Sequence, residues 1–239
     1  MMKHTLIIII VILIGCSNGM KTSEQSLSLK SYNLKGKIEY ISDKKIPSIL
    51  IDNDMETQID TTHLTSISFQ NKYFNKNGYL TNLKYYDKDS VLLINSKILF
   101  SDSGKYKGSK DFNKEGQQLR NTKIVSSNID FLEIETYDYK TGELLSKSKT
   151  EYENGLVKKQ YSEFESQGHK SEYIYKRDNE GNEIEISMIL EFSDQKIESK
   201  SFVKYMEFDK YGNWIKRIDY NKEKGNECLV TIRDIRYYE

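Results

Sequence analysis

Few residues in this chain of 239 could carry covalent chemistry, and their spacing excludes most of it. The histidines are His4, His63 and His169, and the cysteines are Cys16 and Cys228. Nucleophilic catalysis needs a nucleophile, a base and a group that orients the base. His63 stands in a Thr-rich stretch and His169 in the phrase F-E-S-Q-G-H-K, where a solvated turn residue is the plainer reading. C-x-x-C, H-E-x-x-H, G-x-S-x-G and Gly-rich phosphate loops are all absent. Asp52-Asn53-Asp54 with Glu56, and the run Asp178 to Glu183, lack the length and spacing of an EF-hand loop. No metal or cofactor is therefore expected. The 36 acidic residues offer many carboxylate pairs for glycoside hydrolysis and single out none, so the expectation is a protein that is not an enzyme. They are balanced by 36 basic residues, which gives no electrostatic reason for a nucleic-acid partner.

Cys16 is the exception, because of what precedes it. Lys3 and His4 lead into an unbroken apolar run, Leu6 to Ile14. As a helix this run rises only about 13 Å, far short of a bilayer core of about 30 Å, so it reads as the apolar region of an export signal. Leu13-Ile14-Gly15-Cys16 resembles the lipobox of bacterial lipoproteins. There a small residue admits the signal peptidase and the cysteine thiol carries a diacylglyceryl group, with palmitate on the new N-terminus. The plainer alternative is an ordinary export signal with an incidental cysteine. Lipidation of Cys16 leaves Cys228 alone, so the fold must stand without an intramolecular disulfide. Residues 1–15 are thus expected to be a lipoprotein signal peptide. Residues 16–31, rich in serine and free of aromatics, are expected to be a flexible tether.

The remainder, 32–239, is a strand former. The chain has no alanine and one proline, Pro47, against 18 Tyr and 9 Phe. One phrase recurs: an aromatic, an Asx or Glu close behind, then glycine. It reads F-N-K-N-G from Phe74, F-N-K-E-G from Phe112, Y-E-N-G from Tyr152 and F-D-K-Y-G from Phe208. Gly142, Gly155, Gly168 and Gly181 are each 13 apart, as are Gly212 and Gly225. Asx side chains start turns and glycine supplies the positive φ that closes a hairpin, leaving strands of about nine residues. Between turns the period is two: Ile184, Ile186, Met188 and Leu190 fall on one face, with Glu183 and Glu185 on the other. The fold class expected is all-β, a long antiparallel up-and-down meander of β-hairpin repeats with about 13 to 15 strands. Open sheets beyond about 10 strands curl, so an open half-barrel or sandwich-like trough is expected. Ser42 to Ser66 has few turn signals and is not placed.

The two ends carry the most individual wording: Leu34-Lys35-Gly36-Lys37-Ile38 at the start, and Y-G-N-W-I-K-R-I-D-Y with I-R-D-I-R-Y-Y at the close. Together they resemble a family of uncharacterised lipoproteins of the Bacteroides and Flavobacterium lineages with repeated Y-D-x-x-G-N units. The units are also similar to YD-repeat sequences, although the spacing here is near 13 rather than about 20. The resemblance implies a β-meander and an envelope address, and no activity.

The aromatic excess is the remaining functional lead. Tyr173, Tyr175, Tyr205, Trp214 and Tyr220 could form a strip that stacks on sugar rings or a partner surface, or could simply pack across strands. In the repeat register Trp214 shares a face with Lys216, Ile218 and Tyr220, which favours burial. The leading expectation is a non-catalytic, lipid-anchored envelope protein that binds a glycan, a peptide or an envelope partner through its sheet. It would be held in the outer membrane by its N-terminal lipid and face the periplasm. The alternative is a lipid-anchored hydrolase using a carboxylate pair on envelope or dietary glycans.

Overall fold

The computed structural model describes residues 29, 33–51, 55–60, 67–101, 105–128, 130–165, 167–223 and 225–239. The signal, Cys16, His63 and Asp52-Asn53-Asp54 lie outside them. The chain runs β1 (Ile38–Leu50), β2 (Thr57–Ile59), β3 (Ser68–Phe74), β4 (Leu80–Tyr86), β5 (Leu92–Phe100), β6 (Tyr106–Phe112), β7 (Gln118–Ser127) and β8 (Phe131–Asp138). It continues with β9 (Leu144–Glu153), β10 (Leu156–Phe164), β11 (His169–Arg177), β12 (Glu183–Glu191), β13 (Lys196–Phe208), β14 (Trp214–Tyr220) and β15 (Glu227–Tyr237). From β3 onward each strand pairs antiparallel with the next.

The expected open trough is corrected. β15 pairs with β1 along nearly its whole length, from Ile38↔Tyr237 to Ile49↔Glu227, so the sheet closes into a barrel of fourteen strands. β2 stands outside the ring, paired only with Ser48 to Leu50 of β1. Closure gives the first and last strands the hydrogen-bond partners that an open sheet would leave exposed. It also places the stretch that carried few turn signals, since most of β1 and all of β2 fall within 42–66.

The repeat phrase forms the turns it predicts. At Asp209 the carboxylate accepts the backbone N–H groups of Tyr211 (2.8 Å) and Asn213 (2.9 Å) while Gly212 N–H bonds the Asp209 carbonyl (3.0 Å). Asn75, Asn113 and Asp178 use their side chains in the same way. The repeat glycines Gly142, Gly155, Gly168, Gly181 and Gly212 all have positive φ, between 61° and 85°.

Part of the outer wall is charged, while Ile46, Ile218 and Val230, on the outer side of β1, β14 and β15, are buried. A barrel that crosses a bilayer turns an apolar band outward. Here outward positions carry charge pairs between neighbouring strands, among them Lys149–Glu133 (3.8 Å), Lys159–Glu172 (2.8 Å), Lys170–Glu163 (3.0 Å) and Lys200–Glu185 (3.1 Å). Exposed pairs of this kind add little stability, but they keep the surface wet.

A ring of fourteen strands encloses more space than inward side chains fill evenly. At the end where the chain enters, Leu34, Ile38, Ile41, Phe74, Leu80, Tyr106, Leu132 and Ile134 form a buried apolar cluster. The entering segment straps this end. Leu29, assigned by composition to the tether, donates its N–H to the Gly78 carbonyl (2.7 Å). Asn33 then bonds the Glu180 carbonyl (3.2 Å), and Lys35 bonds Asn213. Between β7 and β10 the interior is lined by small hydroxyls that pair across strands, Thr122 with Thr136 (3.2 Å) and Ser148 with Ser162 (2.9 Å). The remaining interior, toward β10–β15 and β1, is open.

Candidate functional site

That open space is a cavity of about 440 Å³, lined from β1, β3 and β10 to β15. Its lining holds two clusters of buried charge. In the first, Asp43 receives Arg233 on both oxygens (Nε to Oδ1 2.6 Å, Nη2 to Oδ2 3.1 Å) and Lys72 Nζ on Oδ2 (2.5 Å). Burial alone would push the Asp43 carboxyl up, but Arg233 and Lys72 outweigh it and hold the group well below the usual carboxylate range. Lys72 fares differently: burial and the like charge of Arg233 outweigh Asp43 and bring it down to about 8. One carboxylate does not fully offset two buried cations.

In the second cluster Glu183 accepts Arg177 Nη2 on Oε1 and Arg217 Nη1 on Oε2, each at 3.0 Å. Arg217 Nε also reaches Asp219 Oδ2 at 3.2 Å. Burial raises the Glu183 carboxyl, and the guanidinium groups of Arg217 and Arg177 reverse this and hold it low. Asp219 goes the other way: its burial outweighs Arg217, and its carboxyl is raised.

Between the clusters stands Lys45. It lies deep in the barrel, keeps some surface toward the cavity, and makes no hydrogen bond or ion pair with any described residue. Burial first and Arg217 second lower its pKa, against the pull of Asp219, Asp43 and Glu183. Its register partner on β15 is Thr231, 2% exposed, whose hydroxyl has no hydrogen-bond partner; Asp219 Oδ1 is unpaired as well. Among the lining residues five cations, Lys45, Lys72, Arg177, Arg217 and Arg233, face three carboxylates, Asp43, Glu183 and Asp219.

The rest of the lining is apolar and aromatic, with Leu156, Val157, Ile186, Met188 and Leu229 alongside Tyr173, Tyr175, Tyr205 and Trp214. Tyr175 donates its hydroxyl to Gln160 Oε1 (2.8 Å). The Arg233 guanidinium lies 3.5 Å from the centre of the Trp214 ring, and Tyr205 packs 5.9 Å away.

Four of the five aromatics singled out by sequence therefore converge on one cavity, and the fifth does not. Tyr220 pairs with Phe202 and Cys228 on the outer side and packs on the Phe202 ring at 5.7 Å. The expected common face of Trp214, Lys216, Ile218 and Tyr220 is corrected as well. Register shifts in β13 between Tyr205 and Phe208 turn Trp214 inward beside Arg217 and leave Lys216 outside, paired with Glu207 (3.4 Å). A shift between Lys176 and Arg177 likewise carries Glu183 from the expected wet face into the lumen. His169 is the first residue of β11 rather than a solvated turn residue, stacked on Phe164 at 4.4 Å. Among the described residues no three His, Cys, Asp or Glu side chains cluster as metal ligands do.

The sequence reading missed Asp43, Lys45, Lys72, Arg217 and Arg233. The available signal was alternation: in β1 Asp43 and Lys45 share the parity of the core residue Ile41, and in β15 Thr231 and Arg233 share that of Ile235.

No family model and no curated protein matches the chain. Solved structures do. A porin-like protein from Bacteroides uniformis is similar over 83% of this chain and 96% of its own, at 12% identity and a TM-score of 0.34. A second porin-like protein, from Bacteroides vulgatus, covers 84% of this chain and 99% of its own, at 9% identity and a TM-score of 0.45. A LolA-superfamily protein from Nitrosomonas europaea covers 86% and 88%, at 10% identity and a TM-score of 0.31. At TM-scores below 0.5 these likenesses carry no functional weight. The resemblance to the Y-D-x-x-G-N lipoproteins rests on the sequence phrases alone.

Proposed function

We propose that this protein is a non-catalytic, lipid-anchored component of the cell envelope, held at the periplasmic side of the outer membrane through Cys16, that binds its ligand inside the barrel rather than on the outer surface of the sheet. The observation that carries this reading is the cavity itself: a charged and aromatic lumen with unpaired polar groups, inside a wall that carries paired charges on the outside from β8 to β13. Buried polar atoms without partners are costly, and a polar ligand would satisfy them. Hydrolysis is the weaker reading. It requires one carboxylic acid that stays protonated until it donates. Asp219, whose carboxyl is raised, is the one lining carboxylate suited to that role, but Asp43 and Glu183 are each clamped by two cations, so neither is free to act as its base or nucleophile.

Two measurements on the same protein test it. Wild type should fractionate with membranes and Cys16→Ser should not. The mature chain from Ser17 onward, made without its signal and so without lipid, should carry a small-molecule mass under non-denaturing spray that denaturation releases. Identical fractionation of the two proteins overturns the anchor, and a bare-chain mass after the lipid-free chain has been mixed with envelope extract and gently repurified overturns the binding role.

A further inference from the structure

The lumen also indicates what kind of molecule it would hold. We propose that the cavity takes a small monoanionic amphiphile, with its acidic head between Lys45 and Thr231 and its apolar body along Ile186, Met188 and Leu229. This rests on the reading of the lumen as the binding site and specifies the ligand class. Lys45 and Thr231 are register partners on β1 and β15, both line the cavity, and neither has a hydrogen-bond partner among the described residues, so two donors are presented to the same part of the lumen. The lining as a whole carries five cations against three carboxylates, a surplus of two positive charges (5 − 3). An ammonium deep in a barrel with no carboxylate in contact is expensive, and an anionic oxygen beside it removes that cost.

The head is restricted to a single negative charge by Asp219, whose unpaired Oδ1 is held near the same point by Arg217. A doubly charged head would bring a second anionic oxygen against it. A carboxylate fits, and a hydroxyl or amide N–H beside the acid would give Asp219 its missing donor. The apolar side chains on β12 and β15 offer nothing to a sugar or a bare anion, which is why the ligand needs a hydrophobic body.

Calorimetry on the mature chain from Ser17 onward, in detergent-free buffer, tests this with four probes: decanoate, 2-naphthoate, decanol and decyltrimethylammonium. Decanoate or 2-naphthoate should bind one to one, and which of them binds more tightly tells an aliphatic from an aromatic body. The alcohol and the ammonium should bind at least tenfold more weakly. Lys45→Met and Thr231→Val, each checked for an unchanged circular dichroism spectrum, should weaken the acid at least tenfold. Thr231→Val serves if Lys45→Met does not fold. Equal binding of decanol or the ammonium, or full affinity in a folded variant, overturns the anionic class and leaves the lumen as a binding site. Binding of none of the four overturns the proposal together with the reading it rests on.

Discussion

Lys35 and Asn213, 178 positions apart, exchange two hydrogen bonds: the Lys35 N–H donates to Asn213 Oδ1 (2.7 Å), and Asn213 Nδ2 donates to the Lys35 carbonyl (2.9 Å). Asn213 is 2% exposed and also meets the Tyr237 hydroxyl (2.8 Å). Tyr237 in turn packs where a Cβ on Gly36 would stand, 2.9 Å from it, at φ +89°. The three distinctive phrases of the sequence, L-K-G-K, G-N-W and R-Y-Y, therefore meet at one point on the strapped end of the barrel.

Replacing Asn213 with alanine removes both bonds to the strap, which are only part-buried, so water can reach the freed Lys35 N–H and carbonyl. Asn213→Ala should cost about 1 to 3 kcal/mol, at about 0.5 to 1.5 for each lost hydrogen bond. Urea denaturation measures this, and hydrogen exchange at residues 33–37 should accelerate more than exchange in β8 or β9.

Asp43 is the counter-charge for two buried cations, so Asp43→Asn should destabilise by about 3 to 5 kcal/mol. Lys72→Met should cost less, because Arg233 alone still binds both oxygens of Asp43. The pH dependence has a defined sign. The folded pKa of Asp43 lies below its unfolded value of about 3.9, so its contribution is complete above that value and is lost as pH falls through the folded one. Thermal midpoints of wild type should drop more steeply below pH 4 than those of Asp43→Asn. Parallel curves would show that Asp43 does not carry the acid sensitivity.

The turns were legible in the sequence and the closure was not, for a physical reason. An Asx oxygen capping the N–H groups two and four residues on is a local event, so Asp209 and Gly212 announce their turn within five residues. The β1–β15 seam joins residues such as Asp43 and Arg233 that are 190 positions apart, and nothing near either one marks it. The candidate site was half legible. Tyr173, Tyr175, Tyr205 and Trp214 were found by their type, but which face each takes depends on bulges. The two shifts that turn Glu183 and Trp214 inward leave no mark in the alternation of β12 and β14.

The glycines are not equivalent. Gly108 lies inside β6 at φ +137°, where a Cβ would stand 2.0 Å from the Thr122 carbonyl oxygen on β7. Gly108→Ala should break that strand pair and prevent accumulation of folded protein. Gly142 sits in a turn where an added methyl group would meet nothing within 4 Å, so Gly142→Ala should cost only the backbone strain, about 1 kcal/mol. Soluble yield and urea midpoints of the two variants compare them directly.

That the lumen, not the outer surface, is the binding site can be tested with the protein's single tryptophan, because Trp214 lines the cavity. Bromine quenches indole emission only on near contact. Titrating the mature chain with 10-bromodecanoate should therefore quench Trp214 saturably, at the concentration where calorimetry shows binding, and unbrominated decanoate should restore the emission by competition. Calorimetric binding of 10-bromodecanoate with Trp214 emission unchanged would place the ligand outside the barrel and contradict the account.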